Sequence, residues 1–332
     1  MKTFFDLVQE VLKPGLCSGC GGCAVFCSGA GYGALEIDNK GKPAYKDMES
    51  CIQCGLCYSV CPKVKELDDE IKDRAFWSEP MGPVIETNVI RVVDPELRNR
   101  TEDNGVLAAL LVHLFDEKYI DGAVITRPSG EFQLRPILVS TREDILASAR
   151  ISHDTCHGDK YAEYPGIEQF HPSTRKNLKR VALVGTPCQI NSLRKMQVLN
   201  LVPSDVIKFC FGLFCPSGDK EPADHESAGR DSEIFSACGF CGDYSAEFAD
   251  VSFGKTSGGG DGWTTVLLRT PGGKKILADA LRFGRIEQFC IRDNPAFATH
   301  ALKAVRKASS AKKKTARYNL RNLKSRPVRV NI

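Results

Sequence analysis

Apolar residues at Val106, Leu110, Leu111, Leu114 and Phe115 recur at the period of a helix with one buried face, and predict a helix over Asn104–Tyr119. Most other apolar positions fall in short unbroken runs: Asn88–Asp94, Gly122–Arg127, Ile137–Val139, Asp205–Cys215 and Thr264–Thr270. Runs of that length, bounded by turn residues, predict buried strands. Arg180–Gln189 is the sharpest of them: an apolar strand breaks at Gly185 and Pro187, and Gln189–Met196 continues as a helix. Thr141, with Asp144 three residues on, opens another helix, and Pro271–Gly272–Gly273 reads as a turn. The N-terminal pattern is different. Residues 1–15 predict a lead-in helix ending near Pro14 and Gly15, residues 34–47 predict two short strands around Asn39–Lys40–Gly41, and the charged stretch Lys63–Arg74 predicts a linker or connecting helix. Strands followed by helices predict a mostly parallel sheet, with any ligand beyond the carboxyl ends of the strands. Thr186, Pro187 and Cys188 lie at one such end.

Candidate chemistry changes this picture at the N-terminus. Cys17, Cys20, Cys23 and Cys27 form one run, and Cys51, Cys54, Cys57 and Cys61 form a second, followed by Pro62. Both read C-x-x-C-x-x-C-x-x-x-C, the spacing of a two-cluster ferredoxin. Three thiolates two residues apart can wrap one face of an iron–sulfur cube; the chain then runs out of reach, and the fourth crosses to the other cube. Cys17, Cys20, Cys23 and Cys61 are thus assigned to one 4Fe–4S cluster, and Cys51, Cys54, Cys57 and Cys27 to the other. Gly19, Gly21, Gly22 and Gly55 suit a backbone that passes close to sulfide. Ser28, rather than proline, follows Cys27, which alters the exit turn and no ligand. A disulfide framework is argued against by the odd count of 15 cysteines and by an N-terminus without a signal-peptide core. Zinc also binds C-x-x-C pairs, but two complete four-cysteine runs at this pitch argue for iron–sulfur.

A length of 332 residues leaves room for much more than a ferredoxin, 42 % hydrophobic residues suit a globular protein, and no stretch approaches a membrane span. The net charge of +4 hides an asymmetry. Of 45 Lys and Arg, 11 follow residue 302, whereas none of the 41 acidic residues do, so residues 1–302 carry 34 basic against 41 acidic side chains. The basic tail has Tyr318 as its one aromatic after Phe297, and no nucleic-acid module is visible. It reads as a solvated extension, with a docking arm for an acidic partner subunit as the second reading.

A second cysteine set is more dispersed. Cys188 ends the strand-loop Gly185–Gln189, Cys215 ends the run after Asp205, and Cys238 and Cys241 form a C-x-x-C turn. Two strand ends and one turn can deliver four thiolates to one point as a third cluster. On spacing alone, Cys188 and Cys215 are equally well read as small buried hydrophobes. No G-x-G-x-x-G or Walker loop accompanies them.

Together, GTPCQ (Gly185–Gln189), GLFC (Gly212–Cys215), CGFCGDYSAEFADVSFG (Cys238–Gly254) and DGWTTVLLRT (Asp261–Thr270) resemble the coenzyme F420 hydrogenase/dehydrogenase beta-subunit family. The arrangement is that of its ferredoxin-fused members, such as the input subunit of the F(420)H(2) dehydrogenase. The resemblance covers roughly residues 15–285. It implies an α+β chain: an N-terminal two-cluster ferredoxin-like domain (1–66), a linker (67–87), an α/β flavin- and iron–sulfur-binding domain (88–290) and the basic tail (291–332). It further implies FAD, three 4Fe–4S clusters in all, and hydride exchange with the deazaflavin coenzyme F420 as substrate. Cys188, Cys215, Cys238 and Cys241 are the implied ligands of the third cluster. Asn104, Gly105, Lys160, Tyr161, Thr186 and Pro187 are the implied flavin contacts, with Lys160 as the positive charge near the flavin ring. Cys156, Cys210 and Cys290 are read as structural thiols. Departures from the family pattern are the short segment between Cys215 and Cys238 and the replaced lead-ins before Asn104 and Lys160. The implied partners are subunits of a larger redox complex and the deazaflavin, with no nucleic acid. The implied location is cytoplasmic, or peripheral to a membrane through that complex. Two alternatives stay open: a non-catalytic electron-relay subunit, and a flavin-dependent member acting on a different substrate.

Overall fold

The computed structural model describes the chain except residues 39–40, 74–75, 101–104, 129–132, 148–160, 163–177, 202–203, 217–236, 256–261, 291–293 and 326–332. The first unit is built from α1 (Phe4–Leu7), which runs into a π-helical turn at Val8–Leu12, α2 (Gly22–Gly29), the hairpin β1 (Leu35–Ile37) and β2 (Pro43–Tyr45), and α3 (Leu56–Ser59). Its core is Phe4, Leu7, Val11, Leu35 and Tyr58, with the two cysteine runs packed against it. The two runs fold alike. Gly21 and Gly55, one residue after the second cysteine of each run, sit at φ 78° and 73° and start α2 and α3. A Cβ on Gly55 would meet the Lys2 carbonyl oxygen at 2.3 Å, so both conformation and space require glycine.

A connecting helix, α4 (Asp68–Asp73), leads to a nine-stranded sheet. Its members are β3 (Glu86–Val92), β4 (Gly122–Pro128), β5 (Gln133–Val139), β6 (Tyr161–Ala162), β7 (Val181–Gly185), β8 (Ile207–Leu213), β9 (Val251–Lys255), β10 (Thr264–Leu268) and β11 (Ile286–Gln288), in the spatial order β11-β3-β10-β9-β8-β7-β4-β5-β6. The expectation of a mostly parallel sheet is corrected here. Strands β4, β7, β8 and β9 form a parallel centre, but β10, β3 and β11 continue it antiparallel, and β5 pairs antiparallel with β4. The hydrophobic runs could not show this, because a strand buried on both faces looks the same in either direction.

Side-chain alternation divides the core between the two faces. Ala123, Ile125, Ala182 and Val184 join the cluster under α6 (Val106–Asp116), α7 (Arg142–Ala147) and α9 (Pro271–Arg282). Val124, Val181 and Leu183 join the cluster under α8 (Pro187–Val198), which also contains Phe26 and Val60 of the ferredoxin-like unit. The first unit therefore docks on the sheet through α8. A short helix α5 (Pro95–Arg100) follows β3.

Two further expectations are corrected. Pro271–Gly272–Gly273 is the first turn of α9, where proline at the first position needs no N–H and the Thr270 hydroxyl accepts from Gly273 N at 3.1 Å. The basic tail is not a solvated extension. It forms α10 (Pro295–Ser325), with Ala301, Val305, Ser309, Lys312 and Ala316 buried along one stripe. Their spacing of three or four residues is helical, while Lys303, Arg306, Lys307 and Arg317 stay at the exposed side. Val305 packs with Phe214 and Leu267, on the sheet face that α8 also covers.

Candidate functional site

The cysteines are delivered by elements of three kinds. In the first unit they flank α2 and α3. Cys188 is the second residue of α8, at the carboxyl end of β7, and its helix is opened by Thr186, whose N–H donates to Gln189 Oε1 at 2.9 Å. Cys215 lies just past β8, its N–H donating to the Tyr244 carbonyl at 2.7 Å. Cys238 and Cys241 close a turn in which Cys241 N donates to the Cys238 carbonyl at 2.9 Å. The segment after them is pressed onto β8: a Cβ on Gly212 would meet Ala246 Cβ at 2.3 Å.

Mutual influence sorts eleven of the thiols into three sets, and Cys20, influenced most by Cys188 and then by Cys61 and Cys23, stands between two of them. Cys57 feels Cys54, Cys27 and Cys51. Cys61 feels Cys17, and Cys23 feels both and, less strongly, Cys57 of the other run. Cys238 feels Cys215, Cys188 and Cys241. Cys27 thus stands with the second run and Cys61 with the first, each crossing between halves. The groups are also linked: the Cys20 and Cys188 thiols, one from the first unit and one from α8, are each the largest influence on the other. Among the described residues no three donors close on one point as they would around a single metal ion. A four-iron cube holds its thiolates further apart than one ion does.

Electrostatics show what this crowding costs. Burial, then neighbouring thiols, push Cys57 up to about 12 and Cys238 up to about 12, and burial pushes Cys61 up to about 11. Cys188 goes the other way, to about 6, because Cys20 donates to it, with Thr186 and Ser18 adding to the effect against burial. The Thr186 hydroxyl is 3.3 Å from the Cys188 sulfur. Buried thiolates that repel one another are the donor set a cationic iron–sulfur core satisfies, since metal binding removes the thiol protons. In that respect the residues fit such clusters.

The carboxylates of the C-x-x-C block organise its surroundings. Asp250 Oδ2 accepts from Cys210 N at 2.8 Å and from Arg194 Nη2 at 2.9 Å, and its Oδ1 accepts from the Thr270 hydroxyl at 2.9 Å. Asp243 accepts from Glu247 N at 3.0 Å. Glu247 is pushed up to about 8 by burial and by Asp243, and it pairs with Lys313 at 2.9 Å. Arg269 is buried and donates to Met81 O, Pro83 O, Ser245 O, Ser245 Oγ and Ser252 Oγ. Burial lowers its guanidinium to about 10.

Four of these residues escape the sequence reading: Lys195, Arg269, Lys312 and Lys313. Lys195, fully buried in α8, donates to the Cys61 carbonyl at 2.9 Å and to the Val64 carbonyl, and pairs with Asp68 at 3.1 Å. No local pattern signals it, because its stripe on α8 also carries the polar residues Asn191 and Ser192. Of the expected flavin contacts, Asn104 and Lys160 lie outside the described residues, and Tyr161 is described only by its backbone in β6. Gly105 opens α6 at φ 69°, capping it by backbone alone, and Thr186 and Pro187 open α8 beside the third thiol group. Cys156 lies outside the described residues, Cys210 is buried and Cys290 exposed. No helix among the described residues is long and apolar enough to cross a membrane.

Residues 88–161 match the N-terminal model of the coenzyme F420 hydrogenase/dehydrogenase beta subunit, residues 178–218 and 219–293 match its C-terminal model, and residues 9–62 match a 4Fe-4S dicluster domain. The chain is 27 % identical to the coenzyme F420-dependent sulfite reductase of Methanocaldococcus jannaschii, over 81 % of the chain and 46 % of that protein, so it spans about half the length of this relative. It is 27 % identical to the beta subunit of the coenzyme F420 hydrogenase of Methanothermobacter thermautotrophicus, over 72 % of the chain and 95 % of that protein. It is 22 % identical to one subunit of the F(420)H(2) dehydrogenase of Methanosarcina mazei, over 81 % of the chain and 83 % of that protein. Among solved structures, a chain of the F420-reducing [NiFe] hydrogenase complex from Methanosarcina barkeri superposes with a TM-score of 0.59 at 24 % identity, covering 74 % of this chain and 94 % of that one. This last likeness is one of fold.

Proposed function

The chain belongs to the coenzyme F420 hydrogenase/dehydrogenase beta-subunit family, with a 4Fe-4S dicluster domain at its N-terminal side, and from that premise we propose a specific electron path. The protein exchanges hydride with coenzyme F420 at a bound FAD and passes single electrons through three 4Fe–4S clusters to partner subunits. FAD, when bound, takes up a hydride as an electron pair and releases single electrons to clusters. Gly105, Thr186 and Pro187, with Asn104, Lys160 and Tyr161, would hold the flavin, and Lys160 would place a positive charge at its ring. The thiols of Cys188, Cys215, Cys238 and Cys241 would hold the first cluster on the path. Those of Cys17, Cys20, Cys23 and Cys61 would hold the second, and those of Cys51, Cys54, Cys57 and Cys27 the third.

One observation supports this order. Cys20 and Cys188 perturb each other more strongly than any other group perturbs either, so the thiols at the carboxyl ends of β7 and β8 neighbour the Cys17 group. Lys195, two turns along α8 from Cys188, locks the Cys61 exit loop in place and keeps the two groups in register. Apolar packing of Phe26 and Val60 against Ile190 and Leu193 excludes water from the junction. The test is spectroscopic. Anaerobically purified protein should contain FAD and about 12 iron atoms, and reduced coenzyme F420 should bleach the flavin absorbance. A flavin spectrum that reduced F420 leaves unchanged refutes the hydride reading, and protein purified without flavin is a relay subunit instead.

A further inference from the structure

Helix α10 begins at Pro295, beyond residue 293 where the family match ends, yet it reaches three of the segments around the third thiol group. Lys312 Nζ donates to the Cys215 carbonyl at 2.5 Å, Asn319 Nδ2 donates to the Gly239 carbonyl at 2.8 Å, and Lys313 pairs with Glu247 at 2.9 Å and with Glu79 at 2.8 Å. Lys312 is 2 % exposed, although most cationic neighbours on its helix face solvent. A buried ammonium is costly unless negative charge compensates it. Here its partner is the Cys215 carbonyl, on the segment that carries one of the four thiols.

We propose that Lys312 is a positioning residue of the redox centre: its buried ammonium, carried on the C-terminal helix, sets the reduction potential of the cluster held by Cys188, Cys215, Cys238 and Cys241. The inference rests on the proposed reading that this group holds a 4Fe–4S cluster. Reduction adds one electron to the cluster and no proton, so the four-thiolate centre becomes more negative. A fixed positive charge beside it stabilises the reduced form more than the oxidised form, and little water intervenes to screen the effect. Lys63 approaches the same turn from the first unit, donating to the Ala237 carbonyl at 3.3 Å, but it is only partly buried and solvent screens more of its charge. Lys312 is therefore the larger influence.

The test compares wild-type protein with Lys312→Met and Lys312→Arg in an anaerobic titration with dithionite and mediators, read by electron paramagnetic resonance, with iron counted in each sample. Wild-type protein with about 8 irons refutes the three-cluster reading itself, and about 12 sustains it. Given about 12, the proposal expects Lys312→Met to be reduced at a more negative potential, on the order of a tenfold loss of reduced fraction at a fixed potential, or about 59 mV for one electron. Lys312→Arg, which keeps the charge, should stay near the wild-type value, and the two ferredoxin-like clusters should not shift in either variant. If Lys312→Met loses four irons while Lys312→Arg keeps them at the wild-type potential, the charge is again what the site needs. Equal potentials in all three proteins overturn the proposal. So does loss of the third cluster from both variants, which would make the requirement one of shape.

Discussion

At the scale of single residues, the buried polar groups divide into those that hold the thiol groups and those that stand apart from them. His113 stands apart. It is fully buried in α6, neither ring nitrogen has a hydrogen-bond partner, and its ring lies tilted against Phe283 with centroids 5.3 Å apart. Burial holds its imidazole below the usual histidine range. As pH falls, the unfolded chain takes up the proton first, so the neutral ring's stability is present above about pH 6.5 and is lost as pH falls through the lowered folded value. His113→Leu should flatten the loss of melting temperature between about pH 7.5 and about pH 5.5, and thermal melts of the two proteins check it. Among the thiols, Cys241 offers the sharper test of the proposed path. Cys241→Ala should leave flavin reduction by reduced coenzyme F420 intact and abolish transfer to a one-electron acceptor. Equal loss of both half-reactions would assign Cys241 a purely structural role.

At the scale of elements, α8 and α10 do work that their sequences hardly announce. Helix α8 was legible as Gln189–Met196 after the break at Gly185 and Pro187; the structure starts it two residues earlier, at Pro187, behind a capping box formed by Thr186 and Gln189. That its Lys195 would bond the Cys61 and Val64 carbonyls was not legible, since those partners lie more than 130 residues away. Lys195→Met should leave Asp68 without its ion-pair partner at the junction and cost about 3–5 kcal/mol of docking stability. Two unfolding transitions in place of one, with the first unit melting early, is the expected scan. Helix α10 is the larger surprise. Eleven positive charges without an acidic residue read as a solvated arm, yet the small and apolar stripe at Ala301, Val305, Ser309 and Ala316 buries one face and carries Lys312 inward. Truncation after Leu302 should therefore remove about 4 of about 12 irons while sparing the ferredoxin-like signals. A simple docking arm would leave the iron count unchanged.

At the scale of the whole molecule, the first unit and the sheet are joined where two thiol groups neighbour one another, so the proposed path has an order. In the proposed order the Cys51 group comes last, and its chain neighbours Met48 and Ile52 have exposed side chains. Cys57→Ser should lower the iron content by about 4 atoms and break delivery to a partner, while the clusters nearer the flavin are still reduced. Stopped-flow traces that show those nearer clusters failing to reduce would reverse the proposed order.

The two cysteine runs, the break at Gly185 and Pro187, the hydrophobic runs of β3, β4, β7, β8 and β10 and the motif of residues 238–254 are local patterns, and a local pattern is readable wherever neighbouring residues alone dictate the backbone. On that basis the sequence by itself determined the ferredoxin-like unit, the positions of these strands and the family. Strand direction, the nearness of Cys20 to Cys188, and the burial of Lys195, Arg269 and Lys312 were decided only in the tertiary structure. Each depends on a partner remote in the chain: a buried strand accepts a neighbour of either direction, and a lysine stays buried only where distant carbonyls, carboxylates or thiols converge on it.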